Sequence, residues 1–191
     1  MNRLRTLATA SRTDGEPPPP LPGFSASAFN PLVAAVAERC LTEGYGEPGE
    51  PRRTGLLLAS AGGDRATASA IDTGAAGRRM PPLLFFQSNP NAVLGHIAAR
   101  WNLTGPVVAI SPPAAAAPGE VPSDALELAA LLLADGDADQ ILVIAAEQAQ
   151  QGQQAGQTEP AEQRERAEQG AVEAGEAVGT DHATAVLVTV A

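Results

Sequence analysis

One cysteine, Cys40, is all the chain has, so no intramolecular disulfide can form and no thiolate metal site is spelled out. On a helix beside Val36 and Leu41 it reads as a small core residue rather than a reactive thiol. The two histidines, His96 and His182, lie far apart without a companion ligand at metal spacing, which argues against a metal centre. Aromatic residues make up only 3% of the sequence, so a core must be filled by Ala, Val, Leu and Ile in closely approaching elements. Positive charge is scarce: the formal net charge is −10, which disfavours a nucleic-acid backbone or an anionic membrane as the main partner. No stretch approaches the roughly 20 apolar residues of a membrane span. Arg3, Arg5 and Arg12 are not followed by the apolar segment of a secretory signal, and the chain reads as cytoplasmic. Neither GxGxxG nor GxxxxGK[ST] occurs, so Ala61-Gly62-Gly63-Asp64 reads as a tight turn and no cofactor is expected.

What is present centres on Asn89 to Ala117, NPNAVLGHIAARWNLTGPVVAISPPAAAA. Asn89 is a helix cap and Pro90 suits the first helical position, and Val93, Ile97 and Trp101 then recur every four residues. Gly95 inside this helix costs about 1 kcal/mol relative to Ala, a cost that makes sense if another backbone passes close by. His96 beside the apolar stripe reads as a hydrogen-bonded interface or core residue. Gly105-Pro106 breaks the chain, and Val107, Val108, Ala109 and Ile110 form a run expected of a strand buried on both faces.

Other elements follow from pattern. Residues 1–27, with Glu16-Pro-Pro-Pro-Pro, read as a Pro-rich tail or strap. Phe29, Leu32, Val33, Val36 and Leu41 mark an amphipathic helix that stops near Gly44. Strands are expected at Thr54–Ser60, Gln140–Ile144 and His182–Val190, and a short Ala-rich helix after Arg65. Leu83-Leu-Phe-Phe86 is a bulky apolar run that leads into the central helix and reads either as core or as the lining of a pocket or seam. Ser123 is expected to cap a Leu-rich helix, Ser123–Ala134, apolar almost all round and therefore expected to be buried on all sides. From Glu147 to Asp181 eight acidic residues face two arginines, and with the Gln/Gly/Ala tract this predicts a mobile acidic, Gln-rich insertion at about 148–180.

The helix, Gly-Pro turn, strand and following Ile110-Ser111-Pro112-Pro113-Ala114 resemble the β-ketoacyl synthases of fatty-acid and polyketide synthesis, in which a Ser-Thr-Ala-Cys elbow follows that strand. On this alignment Pro112-Pro113 replace Thr-Ala and Ala114 stands where the nucleophilic cysteine would be. A methyl group cannot be a thiolate, so covalent acyl transfer through this elbow is excluded. The Asp137-x-Asp139 turn, the 140–144 strand and the closing 182–190 strand continue the resemblance from about Ala28 to Val190. It implies an α/β fold, half of a thiolase-like fold with a mixed sheet and helices on both faces. The family's opening strand is absent on this reading, and so is its second half, which carries the histidines and lysine.

The resemblance implies a non-catalytic accessory subunit, similar to chain-length factors, that pairs with a full-length ketosynthase or a ketosynthase/chain-length-factor pair and stabilises it or shapes its acyl tunnel. Phe85, Phe86, Asn89, Asn91, His96, Trp101, Val107, Val108 and Ile110 are the expected interface or acyl-pocket residues. The alternative is a stand-alone module that binds an acyl carrier protein or a small molecule, with Arg52-Arg53 and Arg78-Arg79 as the available basic patches. A hetero- or homo-oligomer is expected, because the Leu-rich helix alone would expose a large apolar patch.

Overall fold

The computed structural model describes residues 3–75, 82–149 and 180–191. Arg78-Arg79, and residues 150–179 of the acidic, Gln-rich tract, lie outside the described residues. Five strands form one mixed sheet: β1 (Leu4–Arg12), β2 (Thr54–Ala59), β3 (Val107–Ile110), β4 (Gln140–Glu147) and β5 (His182–Val190), in the order β1-β5-β4-β2-β3. β2 pairs in parallel with β3 and β4, while β5 runs antiparallel to both β4 and β1.

Strand parity divides the core. Successive side chains alternate across a sheet, so Leu56, Leu58, Leu142 and Ile144 enter one cluster while Leu57, Ala59, Ile141 and Val143 enter another. The first face is covered by α1 (Phe29–Tyr45) and α4 (Pro90–Trp101), the second by α5 (Ser123–Ala134). This division follows from connection order. The chain steps outward from β2 to β3 through α4, then back across β2 to β4 through α5, and right-handed crossovers in opposite directions put their helices on opposite faces.

The first face is the deeper. Val33, Val36, Ala37, Cys40 and Leu41 of α1 are fully buried, as are Val93 and Leu94 of α4. Glu38 joins the two helices: its carboxylate accepts from Arg100 Nε and Nη2 at 2.9 and 2.7 Å and from Trp101 Nε1 at 2.8 Å. On the second face α5 buries only Ala125, Ala129 and Leu133, and Leu131 stays exposed. The all-round burial expected of this helix is therefore not met within the chain. Its start also differs from expectation: Pro122 is the N-cap, without a side-chain cap bond, and Ser123 Oγ turns to Asp124.

Two further expectations are corrected. Leu4–Arg12, taken as part of a tail, is a strand whose register runs from Leu4 opposite Val190 to Arg12 opposite Ala183. Its apolar content is small, but Ala8 and Ala10 are buried over α1 and eight residues pair in register with β5, which outweighs weak patterning. β3, expected to be buried on both faces, lies at the edge of the sheet with Val107 exposed and the rest of the strand half-buried.

Gly105 explains why β3 sits where it does. A Cβ there would come within 2.5 Å of the Gly55 nitrogen and the Thr54 carbonyl carbon, so the turn can lie against β2 only with glycine. Gly95 is the opposite case. A Cβ there would meet nothing within 4 Å among the described residues, so no described backbone passes close to it, contrary to expectation.

Candidate functional site

The parallel strands β2 and β3 end at Ala59 and Ile110, and a cleft of about 200 Å³ opens beside the serines that follow, Ser60 and Ser111. Phe29, Leu58, Ile110 and Pro90 provide its apolar walls, and Asn30, Ser60, Asp64 and Gln87 its polar groups. Position follows from topology: in parallel α/β sheets the space beyond the carboxyl ends of the strands is bordered by helix starts, here those of α1, α2 (Arg65–Ala75) and α4.

Asp64 organises the polar side. Its Oδ1 accepts from Thr67 N at 2.9 Å, capping α2, while Oδ2 accepts from Ser27 Oγ and Thr67 Oγ1, each at 2.7 Å. Asn30 Nδ2 approaches the same oxygen at 3.4 Å and donates to the Gln87 carbonyl at 2.9 Å. Gln87 Oε1 in turn accepts from Ala26 N at 2.9 Å. The turn after β2 is held from the other side by the buried Glu147, whose carboxylate accepts from Ala61 N at 2.7 Å and Gly62 N at 3.2 Å. The Pro-rich segment is thus a strap whose far end is tied into the cleft, with Phe24 buried beneath Phe86 (ring centroids 6.1 Å apart) and edge-on to His96 (5.9 Å).

The elbow is a loop. From Ser111 to Pro122 no helix begins, and Ala114 is exposed in a second hollow of about 290 Å³ lined by Pro112, Pro113, Ala114–Ala117 and the 120–124 turn. His182 holds this loop from β5: Nε2 lies 2.9 Å from the Ala116 carbonyl oxygen and Nδ1 3.0 Å from that of Thr180. Gly119 N adds a bond to Thr184 Oγ1 at 3.1 Å. Ser111 has neither histidine as a base, since His182 is turned to carbonyls and His96 to Phe24. Among the described residues no three His, Cys, Asp or Glu side chains group as a metal site would require. Burial pushes the Cys40 thiol up to about 11, against a reactive thiolate.

The expected interface or pocket residues separate. Ile110 lines the cleft, and Asn89 caps α4 by accepting from Asn91 N at 3.0 Å. Asn91 and Val107 are exposed, and Val108 is half-buried against the α5 face. Phe85 and Phe86, on the short α3 (Pro82–Gln87), are 68% and 56% exposed, so the core reading of that run does not hold. Trp101 is 2% exposed and lies inside the α1–α4 seam, where it also approaches Tyr45. Ser60, Asp64, Asn30 and Gln87 were not expected. Only Asp64 carried a local signal, an Asp three residues before Thr67 at the start of a helix.

No protein-family model matches the sequence, and no curated protein matches it. Solved structures do. A chain of the complex of the ketosynthase ApeO with its chain length factor ApeC from Xenorhabdus doucetiae superposes with a TM-score of 0.64 at 15% identity, over 100% of this chain and 80% of that one. The fold is ketosynthase-like. A β-ketoacyl synthase from Burkholderia phymatum STM815 gives 0.57 at 16% identity, and the AntDE:AntF complex, a type II polyketide ketosynthase with its acyl-carrier protein, gives 0.56 at 14%. The present ketosynthase-like chain spans 60% and 58% of the lengths of those two. At these identities the likeness is one of fold, and it agrees with the thiolase-like α/β architecture expected. No helix among the described residues is long and apolar enough to cross a membrane.

Proposed function

We propose that this chain is a catalytically inactive, ketosynthase-like accessory subunit that associates with a ketosynthase in polyketide or fatty-acid biosynthesis, in the cytoplasm, and stabilises it or shapes its acyl tunnel. The observation that carries this reading is the state of the elbow. At the position matching the nucleophile stands Ala114, on an exposed loop with no helix N-terminus behind it to stabilise a thiolate.

Three features support association. β3 is an apolar edge strand whose outer side has no neighbour in the sheet. The exposed face of α4 carries Gly95, a destabilising residue with no packing reason among the described residues, which suits the close approach of a partner. Leu83, Phe85 and Phe86 project from α3 near the cleft mouth, and Leu131 from α5. In the family resemblance the β3 strand and the α4 helix lie at the dimer seam, and the solved neighbours include a ketosynthase with its chain length factor.

Co-expression with ketosynthase subunits from the same gene neighbourhood, followed by light-scattering mass of the purified species, tests the proposal. A stoichiometric hetero-complex is the expected result. Recovery of this chain alone, in the presence of every candidate, rejects it. A second reading, a stand-alone module for a small molecule or an acyl carrier protein, is favoured by the cleft, whose described lining sets the polar groups of Asn30, Ser60, Asp64 and Gln87 among apolar walls.

A further inference from the structure

Two side chains in the cleft carry hydrogen-bond donors that the protein itself does not use. Ser60 is 5% exposed; its Oγ accepts from Gly63 N at 2.9 Å, and its hydroxyl proton has no acceptor among the described residues. Gln87 is 3% exposed; its Oε1 is taken by Ala26 N, and its Nε2 has no acceptor among the described residues. Both line the same cleft. Neither donor is sealed in the packed interior, so both open to the cleft, and a pair facing one cavity suits an acceptor that enters from outside.

The charge of that acceptor is limited by Asp64. Three helices begin around the cleft, and their N-terminal dipoles would favour an anion there. The Asp64 carboxylate already takes that place, with four donors converging on it from Ser27, Asn30 and Thr67. A second carboxylate or a phosphate would meet a like charge and find the donors occupied. The remaining walls, Phe29, Leu58, Ile110 and Pro90, are apolar, and about 200 Å³ is below the roughly 300–1,000 Å³ typical of drug-sized ligands.

We propose that this cleft binds a small neutral molecule, or the end of one, bearing a carbonyl-type acceptor oxygen on a short apolar chain, with Ser60 Oγ and Gln87 Nε2 as its donors and Asp64 as the group that excludes anions. The proposal does not rest on the accessory-subunit reading: complex formation and ligand binding can each fail without the other.

The test uses the full chain and two probes of equal length, butyramide and butyrate, titrated while backbone amide shifts are followed by NMR. The amide saturates shifts at Leu58, Gly63 and Ile110, and butyrate binds at least about tenfold more weakly. Gln87→Glu keeps an oxygen for Ala26 N but replaces the donor, and it weakens the amide probe by about tenfold or more with the spectrum otherwise intact. Should that variant not fold, the wild-type preference for amide over carboxylate decides. Equal binding of the two probes, unchanged binding in a folded Gln87→Glu, or no saturable shift at these amides overturns the proposal.

Discussion

The two edges of the sheet are built differently. β1 presents Arg5, Thr6, Thr9 and Ser11 to solvent, its register slips between Thr6 and Ala8, and Arg39 Nη1 reaches the Ser11 carbonyl at 3.1 Å. Irregularity, polar side chains and a covering arginine are the means by which edge strands avoid pairing. β3 has none of them. Its four residues are Val, Val, Ala and Ile, in unbroken parallel register with β2. One edge is closed against company while the other is left receptive, and the contrast makes the β3 side the one expected to carry the proposed assembly surface.

Four results would break or sharpen that contrast. The largest effect is expected at Trp101→Ala, which empties the seam between α1 and the helix beside β3. A loss of about 3–5 kcal/mol in urea unfolding marks Trp101 as core, whereas unchanged stability with lost assembly would return it to an interface. Next is a charge on each edge in turn. Val107→Asp should cost complex formation about 2 kcal/mol or more and leave the urea midpoint nearly unmoved, while Thr9→Asp should leave the mass by light scattering unchanged. Equal effects at both edges would erase the distinction.

Gly95 offers a change of opposite sign. Gly95→Ala should stabilise the isolated chain by up to about 1 kcal/mol, since open space surrounds it, and Gly95→Leu should prevent association while the chain stays folded. Smallest is a pH effect at the α1–α4 clamp. The Arg100 guanidinium, helped by Trp101, holds the Glu38 carboxyl below its ordinary value despite partial burial. A lowered carboxylate pKa contributes stability that is complete above the unfolded-state value near 4.3 and is lost as pH falls through the folded one. Glu38 is partly exposed, so the contribution is under about 1 kcal/mol. Unfolding of wild type and Glu38→Gln should therefore converge between pH 5 and about pH 3.

Local chemistry made much of this fold legible. The Asn89 cap, the Pro90 start, the Gly105-Pro106 break and the apolar runs of β2, β4 and β5 each state their role within a few residues. β1 was hidden because LRTLATASR carries little hydrophobic signal, and its partner lies at the other end of the chain. The burial of β3 was overread because an apolar run looks alike in a central strand and in an exposed edge strand. The cleft was illegible for a related reason. Its contacts join Ser27 to Asp64, Asn30 to Gln87 and Ala26 to Gln87, separations of 37, 57 and 61 residues that no local pattern encodes.

The pairing of β1 with β5 also sets an order of events during synthesis. Leu4 lies opposite Val190, so the first strand of this sheet to be synthesised is completed by the last one of the same sheet. At roughly 5–20 residues per second, β1 waits on the order of ten to forty seconds for its neighbour. Throughout that interval a nascent strand with little hydrophobic character is a safe one to leave unpaired, and the plainness that hid β1 from pattern reading protects it while it waits.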